Sequence, residues 1–220
     1  MTTTPVRVLL VDDDALVRAG LRMILSADPT IETVGEAPHG RAALDEVARL
    51  APDVVLMDIR MPEMDGITAT ARLRALPHPP QVIALTTFHL DDYVLGALRA
   101  GASGFLLKDT APGEIVQAVH TVAAGDAMLS PAVTRTLIER ITSEPVDHRK
   151  AVAIDRLTRL SEREREVAVE VARGRSNAEV GTRLYMSEAT VKAHVSRLLS
   201  KLDASNRVQV AIVVHDAGLA

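Results

Sequence analysis

Five side chains stand at the downstream ends of four short apolar runs, and their types suit one another chemically. Asp12 and Asp13 follow the run Val6–Val11, Asp58 closes Val54–Asp58, Thr86 closes Gln81–Thr86 and Lys108 follows Gly104–Leu107. Clustered carboxylates offer the oxygen ligands that Mg²⁺ takes, and such a site can receive a phosphoryl group. One of the carboxylates can then act as a nucleophile and become an aspartyl phosphate. An ammonium at Lys108 would neutralise phosphoryl charge, and the Thr86 hydroxyl would donate to a phosphoryl oxygen. Any one of these residues by itself reads as a solvated loop side chain; the joint pattern points to a site. Asp14 reads as an acid at a helix N-terminus, and Asp109 and Glu63 as loop residues.

A site of this kind needs a scaffold that brings the four run ends together. The runs Val6–Val11, Ile31–Ala37, Val54–Asp58, Gln81–Thr86 and Gly104–Leu107 are rich in Val, Ile and Leu, and several lack polar alternation. That pattern suits strands covered on both faces. Helical patterns lie between them at Ala15–Ala27, Arg41–Leu50, Ile67–Ala75, Asp91–Ala100 and Pro112–Ala124. Pro112 fits a first-turn position, where its missing N–H is no loss. Five βα units predict an α/β, doubly wound, five-stranded parallel sheet over residues 5–124. Ligands of such sheets sit beyond the carboxyl ends of the strands, where the five residues converge.

Composition narrows the class of protein. The chain has 220 residues, 47% hydrophobic and 25% charged, enough for one large or two modest domains. It has no cysteine, which excludes disulfides, thiolate zinc sites and thiol nucleophiles. Its few aromatic residues, Phe88, Phe105, Tyr93 and Tyr185, argue against a base-stacking platform. There is no apolar run of membrane-spanning length, and Met1–Pro5 lacks the features of a secretory signal, so a soluble, cytoplasmic protein is expected. The net charge of −4 divides unevenly. Residues 1–154 carry 14 Lys and Arg against 20 Asp and Glu, a balance of −6, whereas residues 155–220 carry 11 against 9, a balance of +2. Two halves of opposite sign suggest two tasks.

The second half is helical throughout. Residues 125–154 lack strand signals and read as a linker, with a helical pattern at Val133–Ile141 and linker composition at Ser143–His148. Beyond it, Ser161 with Glu164 and Ser176 with Glu179 each fit a capping box, and Gly174 suits a helix C-terminus. The segments Glu162–Arg173, Asn177–Leu184, Glu188–Leu202 and Arg207–Ala217 predict a small all-α domain over 155–220, and the middle pair has helix-turn-helix proportions. In the third, Val191, Val195, Leu198 and Leu202 form one apolar stripe. The opposite face carries Ala189, Ala193, Ser196, Arg197 and Ser200, with Lys192 on its flank. Small side chains permit close approach to a groove, and Lys or Arg can reach phosphates or guanine edges. His194 lies beside the stripe without metal partners and reads as structural. In the last segment Val208, Ala211, Ile212 and His215 share a face, either bundle core or a dimer contact.

The motifs Leu9-Leu-Val-Asp-Asp13, Val55-Leu-Met-Asp-Ile-Arg-Met-Pro-Glu-Met-Asp-Gly66 and Gly101-Ala-Ser-Gly-Phe-Leu-Leu-Lys108 resemble the flavodoxin-like receiver domain of two-component response regulators. The resemblance implies that Asp58 accepts phosphate from a sensor histidine kinase. It implies that Asp12, Asp13 and Asp58, with the backbone carbonyl of Arg60, hold Mg²⁺. It also makes Thr86 and Phe105 a switch pair, in which the hydroxyl moves toward phosphate and the ring turns inward; Phe105 reads equally well as core. One departure is Asp109 after Lys108, where many receivers have proline; a cis bond at a non-proline residue costs about 3 kcal/mol and is not expected. Leu160-Ser-Glu-Arg-Glu-Arg-Glu-Val167, Gly174-Arg-Ser-Asn-Ala-Glu-Val180 and Ser187–Asp203 are similar to the LuxR-type DNA-binding domain, and the two together match the NarL/FixJ architecture. By that likeness Lys192, Ala193 and Ser196 face the major groove of promoter DNA, Thr190 and Lys201 lie near its backbone, and the last helix forms a homodimer.

Two other readings are open to the residues. The receiver could be a docking module with phosphorylation idle. The acidic site could instead belong to a Mg²⁺-dependent phosphatase of the haloacid-dehalogenase type, but such enzymes want a second Asp two residues after the first, where this chain has Arg60.

Overall fold

In the computed structural model the residues described are 4–86, 91–129 and 146–219, with the side chains of 91, 92 and 146–149 excepted. The chain falls into two compact units, Met1–Thr134 and Arg135–Ala220. No helix among the described residues is long and apolar enough to cross a membrane.

The first unit alternates β1 (Val6–Val11), α1 (Ala15–Leu25), β2 (Ile31–Ala37), α2 (Gly40–Leu50), β3 (Val54–Asp58), α3 (Gly66–Arg74), β4 (Gln81–Thr86), α4 (Asp91–Ala100), β5 (Gly104–Leu107), α5 (Pro112–Ala123) and β6 (Met128–Leu129). All strand pairs are parallel, in the order β2-β1-β3-β4-β5-β6. The reversal of winding at β1 and β3 opens a crevice at their carboxyl ends. The apolar runs lack alternation because both faces are covered. Val8 and Leu10 of β1 pack with Leu25 of α1 and Val119 of α5, while Leu9 and Val11 pack with Val47 of α2 and Leu73 of α3.

The five strands expected from the sequence coincide with the observed ones, but the sheet has a sixth. Met128 and Leu129 pair with Gly104 and Phe105 inside the segment read as linker. Two half-buried residues are too short to show any period, so only the pairing with β5 makes them a strand. The cap readings for this unit hold: the Asp14 carboxylate accepts from Leu16 N–H, and Pro112 opens α5. There is no cis peptide bond among the described residues.

The second unit comprises α6 (Val146–Leu157), α7 (Glu162–Ala172), α8 (Asn177–Leu184), α9 (Glu188–Lys201) and α10 (Arg207–Asp216). Helix α6 begins within Ser143–His148, which composition had marked as linker, and Ala153 and Leu157 enter the core of this unit. The expected helix at Val133–Ile141 lies outside the described residues. Both capping boxes are present, and Gly174 closes α7 with φ of 76°. Val191, Val195, Leu198 and Leu202 are all buried, as their spacing predicts. In helix α10 the face shared by Val208, Ala211, Ile212 and His215, read as either bundle core or a dimer contact, is not the core face. The helix turns Val210, Val213, Val214 and Ala217 inward, leaving Ala211 and Ile212 half-buried and His215 exposed; Val208 alone of the shared face is buried. The reason is that α10 is apolar on nearly every side, so periodicity does not choose its inner face.

Candidate phosphoacceptor site and nucleic-acid interface

The acidic site forms where β1, β3, β4 and β5 end. Asp12 is fully buried and its backbone N–H donates to Ala37 O, extending the β1–β2 pairing by one residue. Asp13 is exposed beside it and Asp58, the last residue of β3, is buried. Carboxylate oxygens of Asp12, Asp13 and Asp58 lie within 4.8 Å of one another. Lys108 Nζ stands 2.5 Å from Asp12 Oδ2 and 3.2 Å from Asp58 Oδ2, bridging the two buried acids. Its backbone N–H donates to Thr86 O at 2.8 Å, which ties the ends of β4 and β5 together. Thr86 is buried at the end of its strand, and the Phe105 ring is fully buried. Arg60 lies exposed in the loop leaving β3.

Electrostatics follow from this packing. Burial pushes the Asp58 carboxyl above the ordinary carboxylate range, Lys108 opposes that rise, and the neighbouring Asp12 charge adds to it. Burial alone would lower the Lys108 ammonium, but its hydrogen bond to Asp12 and the charges of Asp58 and Asp12 outweigh burial and raise it. Three carboxylates with one ammonium among them form an oxygen-only donor set suited to a hard divalent cation. The cluster also leaves Asp58 beside a cation able to neutralise an incoming anion.

Two supports escaped the sequence reading. Arg18 of α1 donates through Nη1 to Asp12 O at 2.6 Å and through Nε to Glu36 at 3.0 Å, clamping the β1–α1 loop. Its spacing from Asp12 gave no signal, because the contact is to backbone. Gly66 is the other. A Cβ there would lie 1.9 Å from Asp58 O, so only glycine lets α3 begin against the end of β3.

In the second unit α9 shows a face to solvent. Thr190, Lys192, Ala193, Ser196, Arg197 and Lys201 are all exposed, opposite the buried stripe. Ser187 caps the helix, its Oγ accepting from Thr190 N–H at 3.1 Å. Lys192 pairs with Glu188 one turn back at 3.1 Å, and Lys201 reaches the buried Glu164 at 2.7 Å. His194 is half-buried, and its Nδ1 has no hydrogen-bond partner.

A doubly wound domain with an acidic pocket at its switch point, followed by a helix-turn-helix unit, defines a receiver joined to a DNA-binding module. Comparison with known families agrees in both halves: the response regulator receiver domain matches residues 8–120, and the luxR family of bacterial regulatory proteins matches residues 158–214. The chain is 38% identical to the transcriptional regulatory protein LiaR of Bacillus subtilis over 210 residues, 96% of this chain and 97% of that one. It is 33% identical to the nitrate/nitrite response regulator protein NarL of Escherichia coli over 211 residues, covering 96% and 95%. Its fold resembles the crystal structure of response regulator ChrA of a heme-sensing two-component system, with a TM-score of 0.54 at 35% identity and coverage of 99% and 100%. The protein belongs to the two-component response regulators with a LuxR-type DNA-binding domain, a family of transcription regulators rather than conventional enzymes. Receiver domains bind Mg²⁺ at an acidic aspartate cluster, and Asp12, Asp13 and Asp58 form such a group.

Proposed function

We propose that Asp58 is the phosphoacceptor of a sensor histidine kinase and that its phosphorylation promotes dimerisation and promoter binding. The observation that carries this reading is the bridging of Asp12 and Asp58 by Lys108 at the mouth of the β1–β3 crevice. A carboxylate oxygen of Asp58 attacks the phosphorus of a phosphohistidine. The donor P–N bond breaks as the O–P bond forms, and the imidazole leaves with the electron pair and takes up a proton. Asp12, Asp13, Asp58 and the Arg60 carbonyl would hold Mg²⁺, which neutralises charge on the phosphoryl oxygens when bound. Lys108 then exchanges its contact with Asp58 for the phosphoryl group, and the Thr86 hydroxyl donates to a phosphoryl oxygen. With Phe105 as its partner, Thr86 would bias a population shift of the receiver.

On the DNA side, Lys192, Ala193 and Ser196 read base edges in the major groove, Thr190 and Lys201 meet the backbone, and Arg197 on the same exposed face adds a contact to phosphate or a guanine edge. The exposed side of α10, with Ala211, Ile212 and His215 and with Val208 at its buried edge, is the dimer contact; a two-fold dimer reads two half-sites and doubles the phosphate contacts. Incubation with acetyl phosphate and Mg²⁺, followed by a gel shift on promoter DNA, tests the reading. Labelling lost in Asp58→Asn and a phosphate-dependent shift are expected; labelling that persists at another residue overturns the assignment.

A further inference from the structure

Tyr185 is the most exposed large apolar side chain among the described residues, at 97%. It sits in the turn between α8 and α9, two residues before the Ser187 cap, in the left-handed conformation with φ of 55° and ψ of 47°. That conformation favours glycine or asparagine, because a Cβ crowds its own backbone there. The turn is held rigidly. The N–H groups of Tyr185 and Met186 both donate to Gly181 O, and the Arg163 guanidinium donates to Leu184 O. Gly181 makes the closure possible, since a Cβ there would meet Met186 O at 2.7 Å.

Nothing among the described residues accounts for a tyrosine at this position. Its ring covers no core, and glycine or asparagine would hold this backbone conformation with less strain. The turn nonetheless places the tyrosine at the end of α9 that carries Ala189, Thr190 and Lys192. We propose that Tyr185 is a positioning residue for DNA, its hydroxyl donating to a phosphate of the backbone bordering the groove and its ring lying along the adjacent sugar. Tyrosine hydroxyls are among the usual neutral donors to phosphate, and such contacts set register without reading sequence. The left-handed turn sets the direction in which the side chain leaves the backbone, and its 97% exposure leaves the hydroxyl open to a phosphate. The proposal rests on the reading of α9 as the groove helix.

The test uses the full chain with acetyl phosphate and Mg²⁺, and two unrelated 30-bp duplexes followed by fluorescence anisotropy. Tyr185→Asn should melt no lower than wild type, yet bind both duplexes about tenfold more weakly, the worth of one hydrogen bond to a charged group. Tyr185→Phe keeps the ring and should lose most of the same affinity on both duplexes. Wild-type affinity in both variants would overturn the proposal, as would a loss confined to one duplex sequence. Failure of the wild type to bind either duplex would overturn the groove reading of α9 beneath it.

Discussion

Gly66 and Asp58 meet backbone to backbone: a Cβ on Gly66 would come within 1.9 Å of the Asp58 carbonyl oxygen, and Gly66 N–H donates to Ile59 O at 2.9 Å. The phosphoacceptor candidate is thus held by a helix start that tolerates no side chain. Gly66→Ala must displace either α3 or the end of β3. A loss of about 1–3 kcal/mol in thermal or urea unfolding is expected, as for overpacked cores, with a parallel drop in acetyl phosphate labelling of Asp58.

Asp58 carries a second consequence. Its carboxyl is raised above the ordinary range, chiefly by burial, so its contribution to stability is full below its unfolded value and is lost as pH rises through the folded one. At neutral pH, Asp58→Asn therefore relieves a buried charge beside Asp12. The variant should melt a few degrees higher than wild type at pH 7 and converge with it toward pH 4, in EDTA, while taking up no label.

Lys108 is the counterpart. Lys108→Ala leaves Asp12 and Asp58 facing each other without their ammonium, and removal of one partner from a buried pair typically costs about 3–5 kcal/mol. Melting in EDTA should show that loss. Added MgCl₂ should recover more stability in the variant than in wild type, because a divalent cation replaces the missing charge. An equal Mg²⁺ response in both proteins would argue against cation binding at these carboxylates.

The pairing of Glu164 with Lys201 makes a separate pH dependence in the helical unit. The Lys201 ammonium, followed by the Ser161 backbone N–H, holds the Glu164 carboxyl down at about 2, against an ordinary value of 4.5. A depressed carboxyl stabilises the fold above its unfolded value and loses that contribution as pH falls from about 4.5 toward about 2. Urea unfolding followed by helical circular dichroism should show wild type weakening through this window. Glu164→Gln keeps an acceptor for the Ser161 capping box and loses only the charge paired with Lys201, so it should be less stable than wild type at pH 7 by no more than about 1 kcal/mol, and lose less as the pH falls.

Lys192 offers the cleanest test of the DNA-reading face. It is exposed and pairs with the equally exposed Glu188, so Lys192→Ala should fold and melt like wild type. Specific promoter affinity should fall by about 1–3 kcal/mol if Lys192 reads a base edge. Unchanged affinity in the folded variant would remove it from the interface.

The amino-acid sequence by itself determined the architecture, because its information is local. Short Val-, Ile- and Leu-rich runs set between helical patterns suit strands covered on both faces, and polar caps such as Asp14, Ser161 and Ser176 mark helix starts. The types and spacing of Asp12, Asp13, Asp58, Thr86 and Lys108 also sufficed to nominate one chemical site, since strand ends of a parallel sheet share one edge. Tertiary structure decided what depends on partners distant in the chain. It set the pairing that makes Met128 and Leu129 a sixth strand, and the Arg18 clamp on Asp12, which runs through a backbone carbonyl. It also chose the inward face of α10, whose apolar residues surround the helix and leave the choice to the neighbours it packs against.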